Sequence, residues 1–326
     1  MVKIKYTKEK FKKINKETKA VIDDYISECR GKALTQRTIL EYRNLLRHVA
    51  MLILENYENK SILEMSRRDW RSMSIMFQDE LALSNSRINS ILSAVTSCLD
   101  YIEDEEEEWK HYNKNPMRRL KRMPKKLVRE KKWLNRSEVR TILTKLLEKG
   151  QLQCAVMVGL AYDSGARISE LDQVTKNNIL SGNVTNKIIR KGQKKETTLM
   201  FHNDTKELIR MWLEQRGEDD VEKLFIYPMI VNKSNKDLKR AITIKSLSSR
   251  IKSAGKLIEK DISPHVLRRS RAEGLKKGED ERLNFRKFSQ KEIQIILGHS
   301  DLATTEQYLK DDSVEIMEKI IEMVAA

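Results

Sequence analysis

The sequence predicts a mainly α-helical protein with one small β-hairpin, an α+β chain in two parts. Three observations carry that expectation. Apolar residues recur at three- and four-residue spacing through most of the chain, the period of helices with one buried face. One segment, NVTNKIIRKGQKKETTLMF at 183–201, breaks that rhythm with β-branched residues on both sides of a Lys-Gly turn. A basic stretch carrying Pro116 and Pro124 interrupts the helical pattern before residue 133. With 326 residues the chain is long enough for two domains, each with its own core.

The elements follow in order. Residues 1–15 are basic and lack the apolar stretch of a signal peptide, and they are expected to form a poorly ordered arm. Residues 16–112 are expected to form a helical bundle. In TQRTILEYRNLLRHVAMLILEN the apolar set is Ile39, Tyr42, Leu45, Leu46, Val49, Leu52 and Ile53; in SNSRINSILSAVTSCLDYIED it is Ile88, Ile91, Leu92, Val95, Leu99 and Ile102. Ser66 and Asp69 have the chemistry of a helix start between them. The acidic run Glu103–Glu108 closes the bundle and reads as a solvated face rather than a metal site, because successive carboxylates on a helix end point in different directions.

Residues 113–132 read as an extended linker. Arg118, Arg119, Lys121, Arg122, Lys125, Lys126, Arg129, Lys131 and Lys132 stand against a single acid, Glu130, so repulsion and proline both oppose a helix. The first six of these are the candidates to lie along a phosphate backbone; a plain solvated linker is the alternative. Residues 133–310 form the second part. LNRSEVRTILTKLLEKG, with Gly150 as its stop, and QLQCAVMVGLAYDSGARISELDQV are helical. The hairpin has its tip near Lys191–Lys194, and helices resume after it. In 311–326, Val314, Met317, Ile320, Ile321 and Val324 make an apolar stripe that needs a packing partner, in the same chain or in a neighbour.

Composition narrows the function classes. Lys and Arg total 64 against 48 Asp and Glu, a net charge of +16. An excess of that size suits a polyanionic partner such as double-stranded DNA, although solubility alone is an equal reading of charge by itself. Cys29, Cys98 and Cys154 are odd in number and far apart, which fits buried reduced thiols rather than a disulfide framework or a zinc site. No run approaches the length of a membrane span, so a cytoplasmic protein with no membrane association is expected. No His-Glu-x-x-His or similar spacing suggests a catalytic metal.

Three short stretches carry reactive residues. SGARISEL places Arg167 just after a Ser-Gly break, with Glu170 one turn on to orient its guanidinium. SPHVLRRSRAEGL opens a helix at Pro264 and puts His265 and Arg268 on one face of the first turn, where the helix dipole also favours an anion. QKEIQIILGHS ends a helix at Gly298 and turns at His299; Tyr308 follows nine residues later, beyond a new cap at Ser300 or Asp301. Taken singly, each has an ordinary structural reading: helix sequence for the first, a satisfied histidine for the second, a packed tyrosine for the third.

Taken in this order, SGARISEL, HVLRRS, LGHS and the tyrosine beyond it resemble the tyrosine recombinase (phage integrase-like) family, with its signature Arg…Lys…His-x-x-Arg…Leu-Gly-His…Tyr. The resemblance covers most of the chain. It implies a core-binding domain in the N-terminal bundle and a catalytic domain after the linker. It implies that Arg167 and Arg268 clamp the scissile phosphate, that His265 and His299 are the two family histidines, that Glu170 supports the first arginine and that Tyr308 is the nucleophile. The family's Gly-Lys-Gly-x-Lys pattern aligns best on Lys191, with Lys194 as second choice for the catalytic lysine. Such an enzyme cleaves and rejoins DNA through a 3′-phosphotyrosine, needs no cofactor and no metal, and works as a tetramer on DNA, exchanging C-terminal segments between protomers. Two departures stand out: Arg269 occupies a position that is often histidine, and KKGEDERLNFRKFSQ makes a longer stretch than usual before LGHS. A type IB topoisomerase-like enzyme would share the chemistry. A DNA-binding protein without catalysis would share the scaffold but should have lost the nucleophile or a clamp arginine, and here the whole set is present.

Overall fold

Short polar caps followed by periodic apolar runs set the helix starts in this chain. A computed structural model describes residues 7–105, 107–112, 114–124, 132–190, 196–227 and 240–298. The chain divides into two compact units, Met1–Val128 and Arg129–Ala326.

The first unit holds five helices: α1 (Lys8–Lys13), α2 (Lys16–Gly31), α3 (Gln36–Asn56), α4 (Arg67–Asp79) and α5 (Asn85–Asp104). Each begins at a side chain that accepts a hydrogen bond from the first turn: Thr7, Asn15, Thr35, Ser66 and Ser84. Ser66 and Asp69 form a reciprocal capping box, as their spacing suggests. The stripes of α3 and α5 face one core with Val21, Ile22, Trp70, Met73 and Phe77, and only Tyr42 of the expected apolar set stays partly exposed.

Two segments differ from the expectation. Residues 8–13 are helical rather than a loose arm: Thr7 caps them, Ile14 is buried, and the Asn59 side chain accepts from the Asn15 N–H at 2.9 Å and donates to the Lys13 carbonyl at 2.9 Å. Residues 115–124, read as free linker, fasten to the bundle. Met117 enters the core, and the Asn89 amide accepts from the Met123 N–H and donates to its carbonyl, both at 2.9 Å. Polar side chains of α5 thus satisfy the backbone of a segment whose charges alone argued for an extended linker.

The second unit is built round α7 (Leu152–Ser164), which is buried on nearly all sides and packs against α6 (Arg136–Glu148), α9 (Asn203–Arg216), α10 (Ile244–Ala254) and α11 (Pro264–Lys277). A helix without a polar face can only sit at the centre of its domain. The short α8 (Ile168–Leu171) follows α7, and α12 (Gln290–Leu297) packs on α11. The hairpin pairs β1 (Ile188–Ile189) antiparallel with β2 (Glu196–Thr197), Ile188 opposite Thr197 and Ile189 opposite Glu196. The architecture is therefore mainly α with one small two-stranded sheet. Cys29 and Cys98 are buried free thiols, whereas Cys154 is only half-buried, because it is the α7 residue left partly uncovered. No helix among the described residues is long and apolar enough to cross a membrane.

Candidate active site

The site grows from two helix ends that terminate on glycine. At the end of α7, Gly165 adopts a left-handed conformation (φ +58°), and a Cβ there would collide with Leu297. At the end of α12, Gly298 does the same (φ +63°). The Ser-Gly break and the Leu-Gly break are thus packed on each other, although they are far apart in sequence.

Arg268 ties the two together. It lies one turn into α11, whose start is set by the Ser263 cap and by Pro264. Its side chain is 1% exposed; Nη1 donates to the Gly165 carbonyl and Nη2 to the Leu297 carbonyl at 2.8 Å. A buried guanidinium needs its N–H groups met, and two helix-end carbonyls, which carry the negative end of the helix dipole, meet Nη1 and Nη2 here.

Arg167 caps the N-terminal end of α8 just after this break. Glu170 is wholly buried; its carboxylate accepts from the Arg167 backbone N–H and from Arg167 Nη1, both at 2.9 Å. The acid is held at two points, so the arginine has a fixed direction, and its side chain stays about a quarter exposed at 26%. His265 precedes Arg268 on the same face of α11 and is exposed. Loss of water around the ring, and then the charges of Arg268, Arg269 and Arg167, hold its pKa below the usual histidine value, so the ring is neutral at pH 7. The structure therefore brings Arg167, Glu170, His265 and Arg268 into one cluster. Lys191, Lys194, His299, Tyr308, Lys125 and Lys126 lie outside the described residues.

Arg119, Lys121 and Arg122 are exposed on the first unit, and Arg122 Nη2 donates to Thr96 Oγ1 at 3.0 Å. Arg118 is exposed as well but pairs with Asp100 at 2.8 Å and Glu103 at 2.9 Å.

Two further features were not legible in the motifs. Arg190, at the end of β1, is 7% exposed, and its guanidinium occupies the space where a side chain at position 298 would begin. Burial and the Arg167 charge lower its pKa while Glu170 opposes them, so it belongs to the same electrostatic cluster. Behind α11, Asp163, Asp204 and Asp280 interleave with Arg136, Arg271 and Arg282. Arg282 alone reaches all three acids, with Nη2 2.8 Å from Asp163, Nη1 2.7 Å from Asp204 and Nε 2.9 Å from Asp280. The long stretch before LGHS is therefore fastened to α7 and α9 by charge.

Residues 132–314, more than half of the chain, match the model of the phage integrase family. Tyrosine recombinase XerD of Rickettsia bellii is 27% identical over 295 residues, which is 85% of this chain and 89% of that protein. Tyrosine recombinase XerA of Thermococcus onnurineus is 29% identical over 230 residues, 70% of this chain and 71% of that protein. Among solved structures, a lambda integrase tetramer bound to a Holliday junction superposes with a TM-score of 0.65 at 17% identity, over 90% of this chain and 77% of that one. The Tn1549 transposon integrase in complex with transposon right end DNA superposes with a TM-score of 0.65 at 17% identity, over 94% of this chain and 99% of that one. At that level of identity these structures establish a shared fold.

Proposed function

The chain belongs to the phage integrase family, and from that premise we propose that it is a site-specific DNA recombinase of the tyrosine type, which cuts and rejoins double-stranded DNA through a 3′-phosphotyrosine. The observation that carries this reading is the convergence of Arg167, its buried partner Glu170, His265 and Arg268 on the paired helix ends at Gly165 and Gly298. Three cationic or polar groups gathered around one carboxylate form a site for an anion whose charge is spread over several oxygens.

The reaction assigned to it is a phosphoryl transfer. The Tyr308 hydroxyl attacks the scissile phosphorus; the bond from phosphorus to the 5′-oxygen breaks, and the bond to the tyrosine oxygen forms. His265, held neutral, is suited to accept the tyrosine proton, and Lys191 to give a proton to the leaving 5′-oxygen. Arg167 and Arg268 supply positive charge at the non-bridging oxygens, with His299 as a further donor. Attack by a 5′-hydroxyl from a partner duplex reverses the step and completes the exchange. The bond energy is stored in the phosphotyrosine throughout.

Lambda integrase forms a tetramer on a Holliday junction. We assign this chain the same state on DNA, four protomers around two duplexes, and a place among cytoplasmic proteins. The basic segment from 113 to 132 would then run along the phosphates.

The test is a covalent one. DNA sites selected from a random-sequence pool by binding to the full chain are synthesised with a nick beside each candidate phosphate. Wild-type protein should form a denaturation-resistant adduct that mass spectrometry places on Tyr308. Tyr308→Phe should bind the same sites and form none. An adduct on another residue, or one that survives in the Phe variant, refutes the assignment.

A further inference from the structure

We propose that Arg190 is a third guanidinium of the anion site, a binding residue for the phosphate that Arg167 and Arg268 receive. The identity of the anion as a DNA phosphate rests on the recombinase reading; the presence of an anion site does not.

Three observations converge on it. Arg190 is more than nine-tenths buried, its Nε is buried without a hydrogen-bond partner, and its guanidinium makes no ion pair among the described residues. Burying a cation in this way is costly unless something answers it. Elsewhere in the same unit the buried Arg216 and Arg271 are answered by Asp219 and Asp280, and the half-buried Arg282 by three acids.

The second observation is the charge balance. Arg167 and Arg190 both feel one carboxylate, Glu170, and among the described residues both oxygens of that carboxylate already receive N–H groups of Arg167. Positive charge exceeds negative charge in a partly dry pocket, and a phosphate has the charge and the acceptor oxygens to balance it.

The third is position. The guanidinium sits against Gly298, next to Leu297, whose carbonyl holds Arg268. Arg190 and Arg268 therefore flank the same Leu-Gly turn. Any side chain at 298 would displace Arg190, so the glycine serves the arginine as well as the turn. In the alignment with the Gly-Lys-Gly-x-Lys pattern, Arg190 stands where the pattern has its first glycine. The third cation is a property of this chain and not of the motif.

The experiment follows thermal unfolding of the full chain in inorganic phosphate against chloride at constant ionic strength, for wild type, Arg190→Met and Arg190→Lys. Phosphate should raise the wild-type Tm in a saturable way. Arg190→Met should unfold in chloride at the wild-type temperature or above it, because a buried charge with no ion-pair partner among the described residues is gone. Its apparent affinity for phosphate should fall about 10–100-fold, the equivalent of one charge-assisted hydrogen bond. Arg190→Lys should lie between the two, since it keeps the charge and loses the fork. Other basic patches respond equally in all three proteins and cancel in the comparison. An unchanged phosphate response in Arg190→Met overturns the proposal. So does a Met variant that fails to fold or melts well below wild type in chloride, which would make Arg190 a structural brace. The titration involves neither DNA nor Tyr308. A wild type that forms no phosphotyrosine but shows the Arg190-dependent phosphate response would sink the recombinase reading and leave this inference standing.

Discussion

Glu170 has two carboxylate oxygens and commits both to one residue, Arg167. On the proposed reading, its contribution is therefore direction rather than charge at the phosphate. Arg167→Ala should slow adduct formation on the order of 10²–10³-fold, the usual effect of losing a preorganised donor. Glu170→Gln keeps the shape and one acceptor oxygen, so it should cost less in rate and should broaden the orientation of Arg167; comparing single-turnover rates of the two variants on a nicked site checks the order. His265 bears on pH. A base must be unprotonated, and partial loss of water around the ring together with three neighbouring arginines lowers the pKa of this histidine. Activity should therefore persist to a more acid pH than an ordinary histidine, near 6.5, would allow. It should fall only as pH drops through the lowered value. A pH–rate profile on the nicked site reads this midpoint; Arg269→Ala removes one of the repelling charges and should move the midpoint upward. At this scale the pairs Arg167–Glu170 and His265–Arg268 were legible in helical spacing, whereas joining them into one set rested on the family resemblance. Arg190 was not legible. Its place depends on Gly298, which reaches it only through the fold.

At the scale of elements, the caps and apolar stripes were legible and the tethers were not. Thr35, Ser66 and Ser84 open helices where the polar-then-apolar pattern places them. The run at 115–124 departs from an extended linker because charge repulsion is visible in a sequence, whereas Asn85 and Asn89 binding its backbone from α5 are not. That finding sharpens what the basic segment can do. Arg118 is already paired with Asp100 and Glu103, while Arg119, Lys121 and Arg122 are exposed on a segment fixed to the bundle. Neutralising those three together should reduce the slope of log affinity against log salt by roughly two to three, one phosphate contact each. Arg118→Ala should change the slope less, because its charge is partly answered within the protein. Equilibrium binding to a selected site between low and moderate salt separates the two outcomes. An equal loss of slope from Arg118→Ala alone would mean that its acidic partners release it on DNA. Gly165 gives an element-scale test of a different kind. Gly165→Ala should destabilise the second unit by about 1–2 kcal/mol from the left-handed backbone alone, and by more once Leu297 is pushed away. Chemical denaturation measures it.

At the scale of the whole molecule, the net charge of +16 hides an internal economy of opposite charges. The long stretch before LGHS, which in the sequence was only an insertion without a pattern, carries Asp280 and Arg282 into a network that reaches α7 through Asp163 and α9 through Asp204. Arg271, one turn beyond Arg268 on α11, donates to Asp280 at 2.5 Å. The network therefore braces the helix that presents His265 and Arg268. Burial works to raise the Asp280 carboxyl, but Arg282 and Arg271 outweigh it and hold it well below the usual carboxylate range. Asp204, though exposed, loses some of its water, which works to raise its carboxyl; Arg282 and Arg136 outweigh this and lower it. In the unfolded chain both acids return to ordinary values near 4, so over the interval below that the unfolded state binds more protons. The stabilisation is complete above that range and is lost as pH falls through it towards the depressed folded values. Unfolding free energy of the second unit, followed by the fluorescence of Trp133 and Trp212, should decline steeply below about pH 4. Asp280→Asn should lower stability at pH 7 by about 3–5 kcal/mol, because it leaves the buried Arg271 and the half-buried Arg282 with a weaker partner. It should also flatten the acid limb, since one of the two titrating groups has been removed. A variant that lost stability at pH 7 yet kept the full acid slope would place the titration elsewhere, and the brace behind α11 would then owe its strength to packing rather than to these charges.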